Sequence, residues 1–505
     1  MYRLTLLVLA LTVAPLSAQT APAISRAAAS MTAADVGHRI GIIAADSMMG
    51  RDTPSRGLEL TAAYVADQFR KFGLKPGGDD GWLQRYPITR RRLDLTKSQL
   101  VFAAGGRKDV VPFTSAARYD GGPVPEKPVH GTALVVGGPQ TAETADRIEV
   151  RDKIVLYVPQ AGVETSAAQQ VFRVLYLAGP RALVILSDTD SASFAAAIPR
   201  RAPERTVVGT VPDRPVALRV RQGAVAGTLS ATGVDLSAAS AAKEPIVREL
   251  PDLKVAIEMK DSVTSSLSAP NTVGILEGSD PRLKDEYLVY SAHMDHIGIS
   301  PGQPDSINNG ADDDASGTVG VIELAKAFSR PGARPKRSII FLTVSGEEKG
   351  LWGSKYFTEH PPVPIEQIVA DINIDMIGRN WPDTIVAIGK EHSDLGATLN
   401  RVNAAHRELG MTAIDDRWPQ ERFYFRSDHY NFARKGVPIL FFFNGVHADY
   451  HEVTDSPEKI NSDKEARILR LLFHLGREVG NAPKRPQWKP ESYKEIVEEN
   501  SVSGK

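Results

Sequence analysis

Residues 287–295 read YLVYSAHMD, an apolar run that ends in His293 and, two residues on, Asp295. The run is nearly continuous rather than alternating. That is the pattern of a strand buried on both faces of a mostly parallel sheet. Three more runs of this kind follow, SIIFLTV at 338–344, IVADINI at 368–374 and VPILFFF at 437–443, with helix-length segments among them. Strands and helices in alternation predict an α/β fold: a mostly parallel-centred mixed sheet flanked by helices. SIIFLTV leads to Glu347 and Glu348, IVADINI to Asp375, and VPILFFF to His447 and His451. The ligand crevice of an open α/β sheet lies at the carboxyl ends of its strands. Four strands therefore bring His, Glu-Glu, Asp and His to one edge.

Between the first two runs stands NNGADDDASG at 308–317, with Asp312, Asp313 and Asp314 adjacent and an apolar helical pattern behind them. A helix N-terminus favours negative charge. Clustered carboxylates still need a compensating cation, and a metal is the expected one. The chain has no cysteine, so the ligands must be His, Asp and Glu. That set suits Zn²⁺, with Mn²⁺ or Co²⁺ as substitutes. The number of ligands predicts two ions sharing one carboxylate.

The 505 residues exceed one ordinary core, which predicts two or more domains. A composition of 42% hydrophobic and 24% charged residues is that of a globular chain, and a net charge of −1 gives nucleic acid or an anionic membrane no reason to bind. Arg3, the short apolar stretch Leu4–Val13 and Ala18 predict a signal peptide over 1–18, hence an exported protein, periplasmic or secreted. No later stretch is long and apolar enough to suggest a membrane span. Thr32 is expected to cap one helix, and Leu58, Ala62, Val65, Phe69 and Phe72 mark another. Short strands at 132–138, 153–159 and 182–188 mark a β-rich inserted domain over 116–249, with the Ala/Ser-rich stretch 236–245 as its closing linker. The main domain is expected at 30–115 and 250–480, and a flexible tail at 485–505.

Taken in order, H-x-D (293–295), G-A-D-D-D-A-S-G (310–317), E-E-x-G (347–350), N-I-D-M (373–376) and Y-H-E-V-T-D (450–455) closely resemble the co-catalytic di-zinc aminopeptidases of metallopeptidase family 28. The insert resembles, on strand pattern and position, a protease-associated (PA) domain. The family resemblance implies a zinc-exopeptidase fold and peptide substrates. It implies that Asp313 bridges two zinc ions, that His293 and Asp375 complete one, and that Glu348 and His451 complete the other. A cis peptide before Asp314 is implied with it. Asp295 would hydrogen-bond a ligand imidazole, and Glu347 would be the general base, taking a proton from a metal-bridging water or hydroxide and passing it to the leaving amine. Tyr424 would stabilise the oxyanion.

The leading expectation is thus an exported aminopeptidase. A carboxypeptidase or dipeptidase of the same fold is the first alternative, with Arg379 and Arg426 as candidate carboxylate binders. A glutaminyl cyclase and a non-catalytic scaffold rank lower, because the whole ligand set and the base are present. His296 and His447 read as supporting or surface residues, and Asp312 and Asp314 as caps. Gly298-Ile-Ser300-Pro301-Gly302 mimics a serine nucleophile elbow, but Pro301 has no N–H to offer an oxyanion.

Overall fold

The computed structural model describes residues 16–209, 214–302 and 304–499. The described residues form two compact units, one of residues 16–86 and 268–499, the other Pro87–Leu267.

In the first unit the four apolar runs form the strands Tyr287–His293, Ser338–Val344, Ile368–Ile374 and Ile439–Phe442. Tyr287–His293 lies at the centre, parallel to both Ser338–Val344 and Ile368–Ile374, and Ile439–Phe442 extends the parallel set. Antiparallel partners flank it: Asp261–Leu276 on one side and Thr384–Ile388 on the other. The runs are continuous because both faces are covered. Leu288, Tyr290, Ile339 and Phe341 point into one apolar core, while Val289, Ile340 and Leu342 point into the other. The helices Ala33–Ile43, Gly317–Phe328 and Ser462–Asn481 cover the first face. Thr32 caps Ala33–Ile43 by accepting from the Asp35 backbone N–H. Ser55 caps Arg56–Lys71, whose buried Leu58, Ala62, Val65 and Phe69 step along one side, and Gly73 at φ +76° ends it.

The second unit has its own sheet and cores. Val129–Gly137, Lys153–Tyr157, Ala182–Ser187 and Val216–Arg221 run parallel, and antiparallel strands flank them. The insert is strand-rich, but its centre is parallel, with Val171 and Leu175 of the helix Thr165–Leu177 packed on it.

Three sequence expectations need correction. The insert runs from 87 to 267 rather than 116 to 249, because Gln99–Ala104 and Arg107–Pro112 pair into its sheet next to Ile246–Glu258. The expected linker at 236–245 contains the helix Leu236–Ala241, capped by Asp235 and buried at Leu236 and Ala239. The expected flexible tail is ordered through the described residues. It forms short helices from Pro490, buries Ile496, and Trp488 Nε1 donates to the Gly436 carbonyl. The expected signal peptide falls mostly outside the described residues. Among the described residues no helix is long and apolar enough to cross a membrane.

Candidate metal centre

The three aspartates of 312–314 point three ways. Asp314 turns back to the helix Gly317–Phe328: its Oδ1 accepts from Gly317 N at 2.8 Å and Met376 N at 3.1 Å. Asp312 turns aside, accepting from Gly378 N at 2.7 Å and lying 3.1 Å from His447 Nε2. Asp313, joined to Asp314 through a cis peptide, faces the strand ends. Asp455 accepts from the backbone N–H of Asp312 and Asp313 and so fixes the turn.

Each carboxylate oxygen of Asp313 meets its own partners. Oδ1 is 3.2 Å from His293 Nε2, which is 3.6 Å from Asp375 Oδ1. Oδ2 is 3.2 Å from His451 Nε2, which is 3.1 Å from Glu348 Oε2. Among the described residues, the groups able to hold a metal are His293–Asp313–Asp375 and His296–Asp313–Glu348. Donor atoms around a tetrahedral zinc with bonds of about 2.0–2.2 Å lie roughly 3.4 Å apart. The observed separations therefore fit two ions sharing Asp313. His451 Nε2 is buried and has no hydrogen-bond partner, although it faces two carboxylates. A cation held between them would give this nitrogen a partner.

The electrostatics reflect the density of negative charge at this edge. Burial would lower the His451 pKa, but the Asp313 and Glu348 carboxylates outweigh it and hold it up at about 10. Burial pushes Glu347 well above the ordinary carboxylate range, and the nearby Asp428, Asp375 and Glu348 push it further. Glu347 joins His293, Asp313 and Asp375 in lining a cleft.

Ser427 donates to Asp375 Oδ2 at 2.9 Å, and Asn373 supports Ser427. His293 Nδ1 is 3.1 Å from the Asp295 carbonyl but 3.7 Å from the Asp295 carboxylate. Asp295 therefore orients the His293 imidazole through its backbone. Its carboxylate instead accepts from Glu347 N at 3.3 Å and Thr53 Oγ1 at 3.0 Å, which holds the Glu347 loop.

Tyr424 is not brought to the cleft, contrary to expectation. Its hydroxyl is buried without a hydrogen-bond partner, and its ring lies edge-on to His392 and His429. The reason is local. The turn Phe423–Phe425 places Phe423 on the cleft wall and sends the next side chain into the core. The tyrosine that lines the cleft is Tyr450, stacked on His451 with ring centroids 3.9 Å apart. Its position beside His451, an expected ligand, was the available signal.

Sequence reading also missed Arg51. This fully buried guanidinium donates to the carbonyls of Ile43, Met294, Asn309 and Gly310. It ties the His293 and Asp313 loops together and puts one fixed cation behind the acids. Arg379 is engaged by Asp449 at 2.9 Å, whereas Arg426 lines the cleft.

Residues 271–476 match the model of peptidase family M28. The M28 segment contains every expected metal ligand and the expected base. A probable zinc metalloprotease of Pyricularia oryzae is 27% identical over 271 residues, which cover 44% of this chain and 52% of that protein. Aminopeptidase YwaD of Bacillus subtilis is 25% identical over 246 residues, covering 45% of this chain and 49% of that protein. The chain thus spans about half the length of these curated relatives. The solved aminopeptidase from Aneurinibacillus sp. strain AM-1 aligns at 17% identity and a TM-score of 0.47, over 92% of this chain and 98% of its own.

Proposed function

We propose that this protein is an exported, zinc-dependent aminopeptidase that removes N-terminal residues from peptides. The observation that carries the reading is the Asp313 carboxylate, whose two oxygens each face a separate histidine–carboxylate pair. His293, Asp313 and Asp375 would hold one ion, and Asp313, Glu348 and His451 the other. When bound, the pair supplies Lewis acidity toward the scissile carbonyl and the attacking water.

The rest is work for the chain's own residues. Glu347 is the general base, taking a proton from the attacking water and delivering it to the leaving amine. Burial raises its pKa, which makes the carboxylate a stronger proton acceptor. Asp295 holds the backbone of Glu347 and so fixes the base against the cleft. Tyr450, kept protonated by burial and by the surrounding acids, has a hydroxyl to offer the oxyanion. Met376, Phe423, Phe441, Phe443 and Val446 supply an apolar wall that suits an apolar side chain on the substrate. The strand-rich second unit is read as PA-like.

A carboxypeptidase reading stays open on one observation, the Arg426 guanidinium on the cleft wall. Free-amine dipeptides assayed beside their N-acetylated forms, with and without chelator, separate the two. Chelator-sensitive cleavage of the free-amine series alone is expected. Cleavage of the acetylated series would transfer the assignment to carboxypeptidase chemistry.

A further inference from the structure

We propose that His296 is a positioning residue for the second metal group: its Nδ1–H holds one oxygen of Glu348 and leaves the other facing His451. The inference rests on the two-metal reading above and adds a residue to it.

His296 lies just past Asp295 and is fully buried. Its Nδ1 is 2.9 Å from Glu348 Oε1, a hydrogen-bond length. It is 3.6 Å from Asp313 Oδ2, which is too long for one. Glu348 Oε2 meets His451 Nε2 at 3.1 Å. One carboxylate is therefore divided between two imidazoles from different loops. The seat of the ring is built for it. The His296 backbone N–H donates to the Arg51 carbonyl at 3.3 Å. A Cβ on Gly310 would come within 2.6 Å of His296 Cγ and Cδ2, so only glycine leaves the ring its place.

The short separations would also fit an additional ligand. The far side of the ring decides between the two roles. A metal-bound imidazole almost always donates its other N–H to a carboxylate, a carbonyl or water. The His293 ring has such a partner, the Asp295 carbonyl, 3.1 Å from Nδ1. His296 Nε2 is buried with no hydrogen-bond partner. If Nδ1 bound an ion, the ring proton would sit on Nε2 as an unsatisfied buried donor, at a cost. With the proton on Nδ1, the same ring makes a charge-assisted bond to Glu348. That bond stops the carboxylate from rotating and fixes which oxygen meets the ion.

The test uses the full chain, stripped of metal and titrated with Zn²⁺ against a chromophoric chelator, and with Co²⁺ by electronic absorption. His296→Leu removes the donor, and His296→Asn keeps an N–H near the position of Nδ1. Thermal unfolding of the metal-free proteins checks packing. The expected result is that His296→Leu weakens one of two ions by roughly 10–100-fold, and that His296→Asn recovers most of the loss with an unaltered Co²⁺ spectrum. Unchanged binding in His296→Leu overturns the inference. So does an asparagine variant that fails to recover and alters the Co²⁺ spectrum, since the imidazole would then be a ligand. In zinc-loaded wild type, ¹⁵N spectra of labelled histidines are expected to show the His296 proton on Nδ1; a proton on Nε2 overturns the proposal without any variant. Wild type that takes up fewer than two ions would overturn the two-metal reading itself, a separately visible result.

Discussion

Both units present the carboxyl ends of a parallel sheet, and they use them differently. In the second unit the strands end in Gly138-Pro-Gln140, Val158-Pro-Gln160, Asp188-Thr-Asp190 and Gln222-Gly-Ala224. The two acids there are exposed, and Asp190 caps the short helix Ser191–Ala196, accepting from Ala192 N and Ser193 N at 3.0 Å each. Its pKa is lowered, chiefly by the Ser193 contact. In the first unit the acids are buried against one another, and burial raises Glu347 and Asp314 instead. A parallel sheet edge supplies a place. Buried carboxylates that need a compensating cation make the place fit for a metal.

The largest effect that separates the two edges is expected at Asp313. Asp313→Ala removes the group common to both ion sites, and metal analysis should find both ions lost, with hydrolysis below detection. Asp190→Asn should change neither. Full metal content in Asp313→Ala would break the contrast.

The base comes next. Glu347→Gln is expected to lower kcat roughly 10²–10⁴-fold with metal content intact. Loss of metal in that variant would make Glu347 a ligand rather than a base. A smaller effect separates the two tyrosines. Tyr450→Phe removes a cleft hydroxyl and is expected to lower kcat roughly 10²-fold, while Tyr424→Phe leaves kcat unchanged. The reverse pattern would restore Tyr424 to the role the motif implied.

The smallest effect is on stability. Burial lowers the pKa of His429 to about 3, and its Nε2 lies 2.8 Å from the Tyr424 carbonyl. The unfolded chain protonates this imidazole near pH 6.5 and the folded chain does not, so stability falls with pH between about 6.5 and 3. The expected slope from this group is about 1.4 kcal/mol per pH unit. Denaturant unfolding of wild type and His429→Leu from pH 7 to pH 4 measures it. Equal slopes would show that His429 is not buried as a neutral ring.

Much of this was legible in the sequence, for a physical reason. Strands covered on both faces read as continuous apolar runs, and side chains just past them fall at one edge. The positions of His293, Glu347, Glu348 and Asp375 therefore followed from the pattern. What did not follow came from contacts distant in sequence or from side-chain direction. Arg51 and Thr53 reach loops more than 200 residues away, and no local pattern marks them. Tyr424 and Tyr450 each neighbour a motif, but only the backbone decides which ring faces the cleft. The insert boundaries were missed because the chain crosses between units inside strands, Leu83–Leu93 and Asp261–Leu276, with no linker composition to mark the crossing.

The central claim is a centre of two ions joined by Asp313. The most direct measurement adds Zn²⁺ stepwise to the metal-free chain and follows peptide hydrolysis and bound metal in the same samples. The account predicts saturation at two ions per chain, with full activity reached only as the second is bound. Full activity at one ion, or saturation at one, would contradict it.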